Sequence, residues 1–283
     1  MKIVLDKKGW QRLQTSRYTY TVSQAKRTAG SPGKVPPEYL FIGDKAFYEN
    51  GKVHEVVLPP RCAVIGISAF ERCMFQKEIN FPQTLMMIKQ RAFAGNRRLR
   101  RVDFPQSLKK IEKECFKECS HLVSAQFPAD GKCSVIPEGM FDCCTSLKEV
   151  QLPARVWKIQ RRAFYRCKAL ETIEFPARLK TIETEAFYFT GLGELNLPEG
   201  VCRIDESAFF KCTRLTEVKL PSSVMYIGKW AFHGCNRLKV LEIMHEPEFI
   251  GDWIINRSCT IRCKKGSKVD KYCEAFGFQT EYK

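Results

Sequence analysis

No stretch of this 283-residue chain approaches the roughly 18 apolar residues that a membrane-crossing helix requires. The opening Met1-Lys2-Ile3-Val4-Leu5-Asp6-Lys7-Lys8 lacks the long apolar core of a secretory signal. No glycine-rich phosphate loop occurs. The four histidines, His54, His121, His233 and His245, have no nucleophile at a meaningful spacing. These absences exclude a membrane-spanning protein and argue against an enzyme. Hydrophobic residues at 44% and charged residues at 28% exclude a disordered tail or a collagen-like fibre. Acid is the scarce charge. Against 47 Lys+Arg stand 31 Asp+Glu, a net charge of +16 that favours acidic partners such as nucleic acid, anionic lipid or another protein.

What the chain has instead is a period. A phenylalanine, usually preceded by alanine, recurs as Phe47, Phe70, Phe93, Phe116, Phe141, Phe164, Phe187, Phe209 and Phe232, in steps of 23, 23, 23, 25, 23, 23, 22 and 23. Pro59, Pro82, Pro105, Pro128, Pro153, Pro176, Pro198 and Pro221, each after Leu or Phe, keep the same clock. Within one unit, Ile159, Ala163, Phe164 and Cys167 fall at helical spacings, which predicts a short amphipathic helical turn. Leu170, Ile173 and Phe175 follow with the alternation of a half-buried strand, and Pro176 stops it. A unit this short cannot bury its apolar side alone, but stacked units form a continuous core. The expected fold is an α/β solenoid of the leucine-rich-repeat kind. It is a right-handed curved superhelix with a parallel sheet on the concave face and short helical turns on the convex face.

The recurring Leu-Pro-x-x-Leu-x-x-Ile-x-x-x-Ala-Phe-x-x-Cys-x-x-Leu resembles the BspA-type (spirochaete-type) leucine-rich repeat. It is seen as Leu197-Pro198, Val201, Ile204, Ala208-Phe209, Cys212 and Leu215. The resemblance spans about residues 35–263. It departs from commoner leucine-rich repeats in lacking their Asn after the strand. It implies a binding module, often a bacterial surface or host-interaction protein, with no catalytic residues and no cofactor. The domain reading is a basic N-terminal cap (1–39), nine repeats (40–243), and a degenerate coil with a C-terminal cap helix (244–283). In the N-terminal cap, residues 18–22 read as a strand and 23–37 as a loop. In the C-terminal part, Val269, Tyr272, Cys273 and Phe276 form one helical stripe between Ser267 and Gly277. This tail is similar to the terminal cap of BspA-type proteins.

Fourteen cysteines call for an account. Six of them, Cys73, Cys119, Cys144, Cys167, Cys212 and Cys235, sit three residues after a repeat Phe, where other repeats carry Asn50, Asn96 or Thr190. All are small and able to hydrogen-bond. A disulfide column would not tolerate Asn or Thr, so free thiols and a reducing, cytoplasmic setting are expected, with the cell surface as the alternative. Cys259, Cys263 and Cys273 with His245 lack zinc-ribbon spacing, and no metal is expected.

Side chains flanking the inward residue of each strand should face a partner. They include Glu55, Glu78, Asp103, Glu149, Glu174, Glu194, Glu217 and Glu242, eight acids against Arg101 and Lys219. The favoured function is a non-enzymatic scaffold binding a basic protein or peptide on this acidic concave face. One alternative is a nucleic-acid-associated protein using the basic N-terminal arm and outer arginines such as Arg97, Arg98, Arg100, Arg101, Arg161, Arg162 and Arg166. Another is cell-surface adhesion. Tyr165, Tyr188, Phe210 and Trp230 on the convex side offer an aromatic contact for a partner or a second copy.

Overall fold

A computed structural model describes residues 7–27, 33–52, 55–73 and 77–283. Residues 1–6 of the basic N-terminal segment, its residues 28–32, and His54 lie outside these. The chain is a parallel β-solenoid of about 11 turns. Each regular coil contributes a long strand, a corner, a short strand and a run of tight turns.

Two strand columns run along the stack where one was expected. The long-strand column corresponds to the Leu-x-x-Ile-x-Phe segments. It holds Glu78–Asn80, Arg101–Asp103, Ser124–Gln126 and Glu149–Gln151 in one parallel sheet, and Glu217–Lys219, Val240–Glu242, Thr260–Cys263 and Gln279–Tyr282 in another. The second column holds the repeat Ile, as in Lys158–Ile159, Thr181–Ile182 and Arg203–Ile204, paired Ile on Ile. The Ile expected to open a helical turn therefore ends a short strand.

The expected helical turns on the convex side are also replaced. In the coil of Phe164, Ala163 N–H donates to Gln160 O, Tyr165 N–H to Arg162 O and Cys167 N–H to Phe164 O, each at 3.1 Å. The intervening amides leave the coil: Phe164 N–H donates to Ala186 O and Arg166 N–H to Tyr188 O, both at 2.8 Å. Arg162 and Arg166 are left-handed, with φ 56° and 58°, and this breaks any helix. Every backbone donor of the corner is satisfied this way, half within the coil and half to the next. Spacings of 0, 4, 5 and 8 put side chains on one side of this turn chain as well as of a helix, so sequence could not separate the two.

The core is a column of rings. The nine repeat Phe are at most 1% exposed. Successive centroids lie 5.0 to 6.0 Å apart, nearly parallel. Tyr20 from the N-terminal segment lies on Phe47 at 5.7 Å. Burial of each ring contributes about 2–3 kcal/mol. The cysteine slot serves the same column. Cys73 Sγ donates to Phe47 O (2.8 Å), Cys119 to Phe93 O, Cys144 to Phe116 O, Cys167 to Phe141 O, Cys212 to Phe187 O and Cys235 to Phe209 O (3.1 to 3.2 Å). Asn96 Nδ2 does the same to Phe70 O at 2.7 Å. In these seven coils the slot holds a short donor for the carbonyl of the ring one coil earlier; Thr190 instead donates to Phe187 O of its own coil at 3.1 Å, and all fourteen cysteines are free.

Both irregular steps break a ladder. The 25-residue step places two extra residues around Asp130-Gly131, and the short-strand sheet ends at Lys110–Ile111 and restarts at Val135–Ile136. The widest ring spacing, 6.0 Å, falls at this step. The 22-residue step shortens the coil of Phe187. A Cβ on Gly191 would lie 2.3 Å from Lys168 O, so the chain there presses on the preceding coil as only glycine can. Around it the long-strand column has a gap: residues 171–176 and 194–198 form no strand. Gly193 N–H to Glu171 O (3.1 Å) is the one backbone bond there from coil to coil.

The ends are closed by added elements. Helix α1 (Lys7–Gln14) places Leu13 on a side cluster of Phe41, Ala63, Val64 and Met87. Residues 18–22 shorten to the strand Thr19–Tyr20, and part of the expected loop is helix α2 (Val22–Arg27). There Gln24 Oε1 accepts from Thr21 N–H at 2.6 Å, a local hydrogen bond that starts the turn. At the other end α3 (Lys268–Phe276) is capped by Ser267, whose side chain accepts from Asp270 N–H, and by left-handed Gly277. A terminal strand, Gln279–Tyr282, which sequence reading did not anticipate, then pairs with Thr260–Cys263.

Truncating a central ring, Phe164→Ala, should cost roughly 3–5 kcal/mol, read as a lowered denaturation midpoint. A loss below 1 kcal/mol would show that the column does not hold the stack.

Candidate protein-interaction face

The long strands set the geometry of this face. Their central residues, such as Val102 and Ala125, point into the core and are fully buried, so the flanking side chains project outward. Glu55, Glu78, Asp103, Glu149, Glu174, Glu194 and Glu217 are all exposed.

Their electrostatic states differ. Asp103 is bound by Arg101 of its own strand at 2.8 Å. Glu217 meets Arg262 at 3.1 Å. Glu242 departs from the expected outward set. It is 5% exposed, beneath Arg262 (3.2 Å), Lys219 and Lys283 (both 3.6 Å). Burial opposes its ionisation, yet these cations, Arg262 foremost, hold it below the usual carboxylate range. It serves as an internal anchor of the C-terminal coils. The reason is Arg262, one coil later, which folds back over it and also binds Glu281. By contrast, Glu55, Glu78, Glu149, Glu174 and Glu194 have no ion pair among the described residues. The last three lie on consecutive coils.

Those coils flank the gap in the long-strand column, and two shallow grooves follow it. One, of about 490 Å³, lies between Glu149–Leu152 and Thr172–Pro176. The other, of about 510 Å³, lies between Gly193–Leu197 and Thr216–Lys219 and includes Glu194 and Glu217. Sequence reasoning missed the groove floor. Val150 and Ile173 look like every other inward strand residue, and the one irregularity nearby was the 22-residue step.

On the turn face, Tyr165, Tyr188 and Phe210 stack on one another at 4.8 and 5.0 Å, and His233 extends the ladder at 5.8 Å. The rings are half-buried, with Arg162, Arg166 and Lys211 against them. Trp230 stands apart from this ladder, left-handed at φ 58°, 36% exposed and covered by Lys229 at 4.2 Å. The outer arginines are partly neutralised: Arg161 binds Glu138 and Arg162 binds Glu185.

No group of three or more His, Cys, Asp or Glu among the described residues could hold a metal. Cys259, Cys263 and Cys273 are buried, and His245 Nε2 lies 2.6 Å from Val224 O. No helix among the described residues is long and apolar enough to cross a membrane.

A family model described as the BspA type leucine rich repeat region, in six copies, matches residues 41–168 and 134–262. A leucine-rich repeat protein from Bacteroides ovatus is similar in fold (TM-score 0.58, 21% identity, 88% of this chain and 82% of that one). So is the T. pallidum leucine-rich repeat protein (TM-score 0.51, 26% identity, 64% and 85%). A leucine rich cell surface protein from Faecalibacterium prausnitzii aligns more loosely (TM-score 0.43, 21% identity, 88% and 86%). No curated protein sequence matches the chain.

The thiols make a prediction. Burial pushes Cys62 and Cys119 up to about 12, whereas an unfolded thiol titrates near ~8.5. The folded state therefore keeps protons that the unfolded state loses. Stability should be flat below about pH 8 and should fall as pH rises from ~9 towards 12. Cys202, the exposed thiol, should alkylate first at pH 7.5. Rapid alkylation of the six column thiols in the native protein would contradict their burial.

Proposed function

The chain belongs to the BspA-type leucine-rich-repeat family, and from that premise we propose that it is a non-enzymatic scaffold whose long-strand face binds a basic segment of another protein. Leucine-rich-repeat proteins of this kind serve protein interaction in general. The observation that carries the finer reading is the run of unpaired, exposed carboxylates Glu149, Glu174 and Glu194 on consecutive coils. The molecule has cations in excess, and many of its acids are already bound to Lys or Arg, so three neighbouring acids outside any ion pair form a local negative field. Such a field steers a basic segment and repels a phosphate backbone. The column of free thiols favours a reducing compartment for this activity.

The test uses a fluorescent eight-residue Lys/Gly peptide. Binding to the wild type should weaken steeply as salt rises, because exposed charges are screened within about 10 Å at 0.1 M. The triple substitution Glu149→Gln, Glu174→Gln, Glu194→Gln should lower affinity about tenfold or more. Equal binding by both proteins would overturn the reading.

A further inference from the structure

Among the inward residues of the long-strand column, Ile79, Val102, Ala125, Leu195, Val218 and Leu241 are all buried. Val150 and Ile173 are only partly so. They occupy equivalent positions on adjacent coils, at the junction where the ladder bonds stop. The neighbouring strand pair, Ser124–Gln126 with Glu149–Gln151, is fully paired, so the ladder stops on the far side of Glu149–Gln151.

The 490 Å³ groove there has Val150, Ile173 and Phe175 on its floor, and its rim includes Glu149 and Glu174, with Lys148 at the margin. An apolar floor between two carboxylates suits one kind of side chain best. The aliphatic stem of Lys or Arg covers the apolar surface while its charged head reaches the rim. An apolar side chain two residues away, on the same side of an extended chain, would complete the cover of Ile173 and Phe175. Nucleic acid offers no such stem, and its phosphates meet the carboxylates.

We infer that this open junction is the specificity-determining docking groove of the face, and that its occupant is an extended protein segment carrying Lys or Arg and an apolar residue two positions apart. The inference rests on the scaffold reading above and adds to it the apolar half of recognition. The two-residue spacing follows from the extended chain, whose neighbouring side chains point to opposite sides, so only every second residue meets the groove floor.

The experiment compares two labelled eight-residue peptides of equal charge, a Lys/Val peptide repeating Lys-Gly-Val-Gly and a Lys/Gly peptide repeating Lys-Gly-Gly-Gly, on three proteins. The wild type should prefer the Lys/Val peptide about tenfold. Val150→Thr with Ile173→Thr, close in shape but polar, should reduce that preference below about twofold while keeping Lys/Gly binding. The triple glutamine protein should lose both peptides. Equal affinity of wild type for the two peptides overturns the groove inference alone, and needs no variant to fold. So does a preference that survives the Thr pair. Absence of any binding to wild type overturns the scaffold reading as well. Sedimentation of the unliganded protein addresses a second copy as occupant: the protein should be monomeric, and a dimer abolished by the Thr pair would overturn the peptide assignment.

Discussion

The stack stands on a recurring contact between coils. In seven coils a buried Phe ring lies flat on the ring of the next coil, and its own carbonyl oxygen accepts a hydrogen bond from a thiol or amide of that next coil. Apolar burial supplies the attraction, and the donor in the cysteine slot removes the penalty of an unsatisfied buried carbonyl. The combination explains why Cys and Asn alternate in one slot: both are short and both donate. It also explains why the thiols stay free, since a disulfide would consume the donor hydrogen.

Because the rings fix coil spacing, the outer surfaces can vary. From Glu78–Asn80 to Glu149–Gln151 the long strands pair in one ladder. Where the coil of Phe187 loses a residue, the rings still stack at 5.0 and 5.3 Å and the short strands still pair, but the long strands separate. The opening falls among the unpaired carboxylates Glu149, Glu174 and Glu194. Charge and shape thus concentrate on one stretch of the face, while the C-terminal acids Glu217 and Glu242 are drawn into the Arg262 network.

Much of this was legible from the period alone. The Phe and Pro markers identify stacking coils, the strand motif identifies the long strands, and Ser267 and Gly277 mark the ends of α3. The corner was not legible, because its left-handed residues carry no common side chain. Glycine takes such a place at Gly95, Gly139 and Gly234, but Lys45, Glu118 and Arg162 take it elsewhere. The burial of Glu242 was hidden because it depends on Arg262, twenty residues away. The open junction left no trace of its own, since both coils that form it keep 23-residue steps, the short step comes one coil later, and Val150 and Ile173 match the pattern of their sealed counterparts.

Amide hydrogen exchange, resolved along the coils, tests the central claim most directly, because exchange reports whether each amide keeps its bond. If the ring column, with the short strands and turns around it, carries the stack through the junction, amides of the short strands and turns at Phe164, Ile182 and Phe187 will exchange slowly. Those of 172–174 and 194–196 will exchange at least tenfold faster than those of Ser124–Gln126. Uniform protection along the long-strand column would contradict the open junction, and rapid exchange at Phe164 and Phe187 would contradict the column itself.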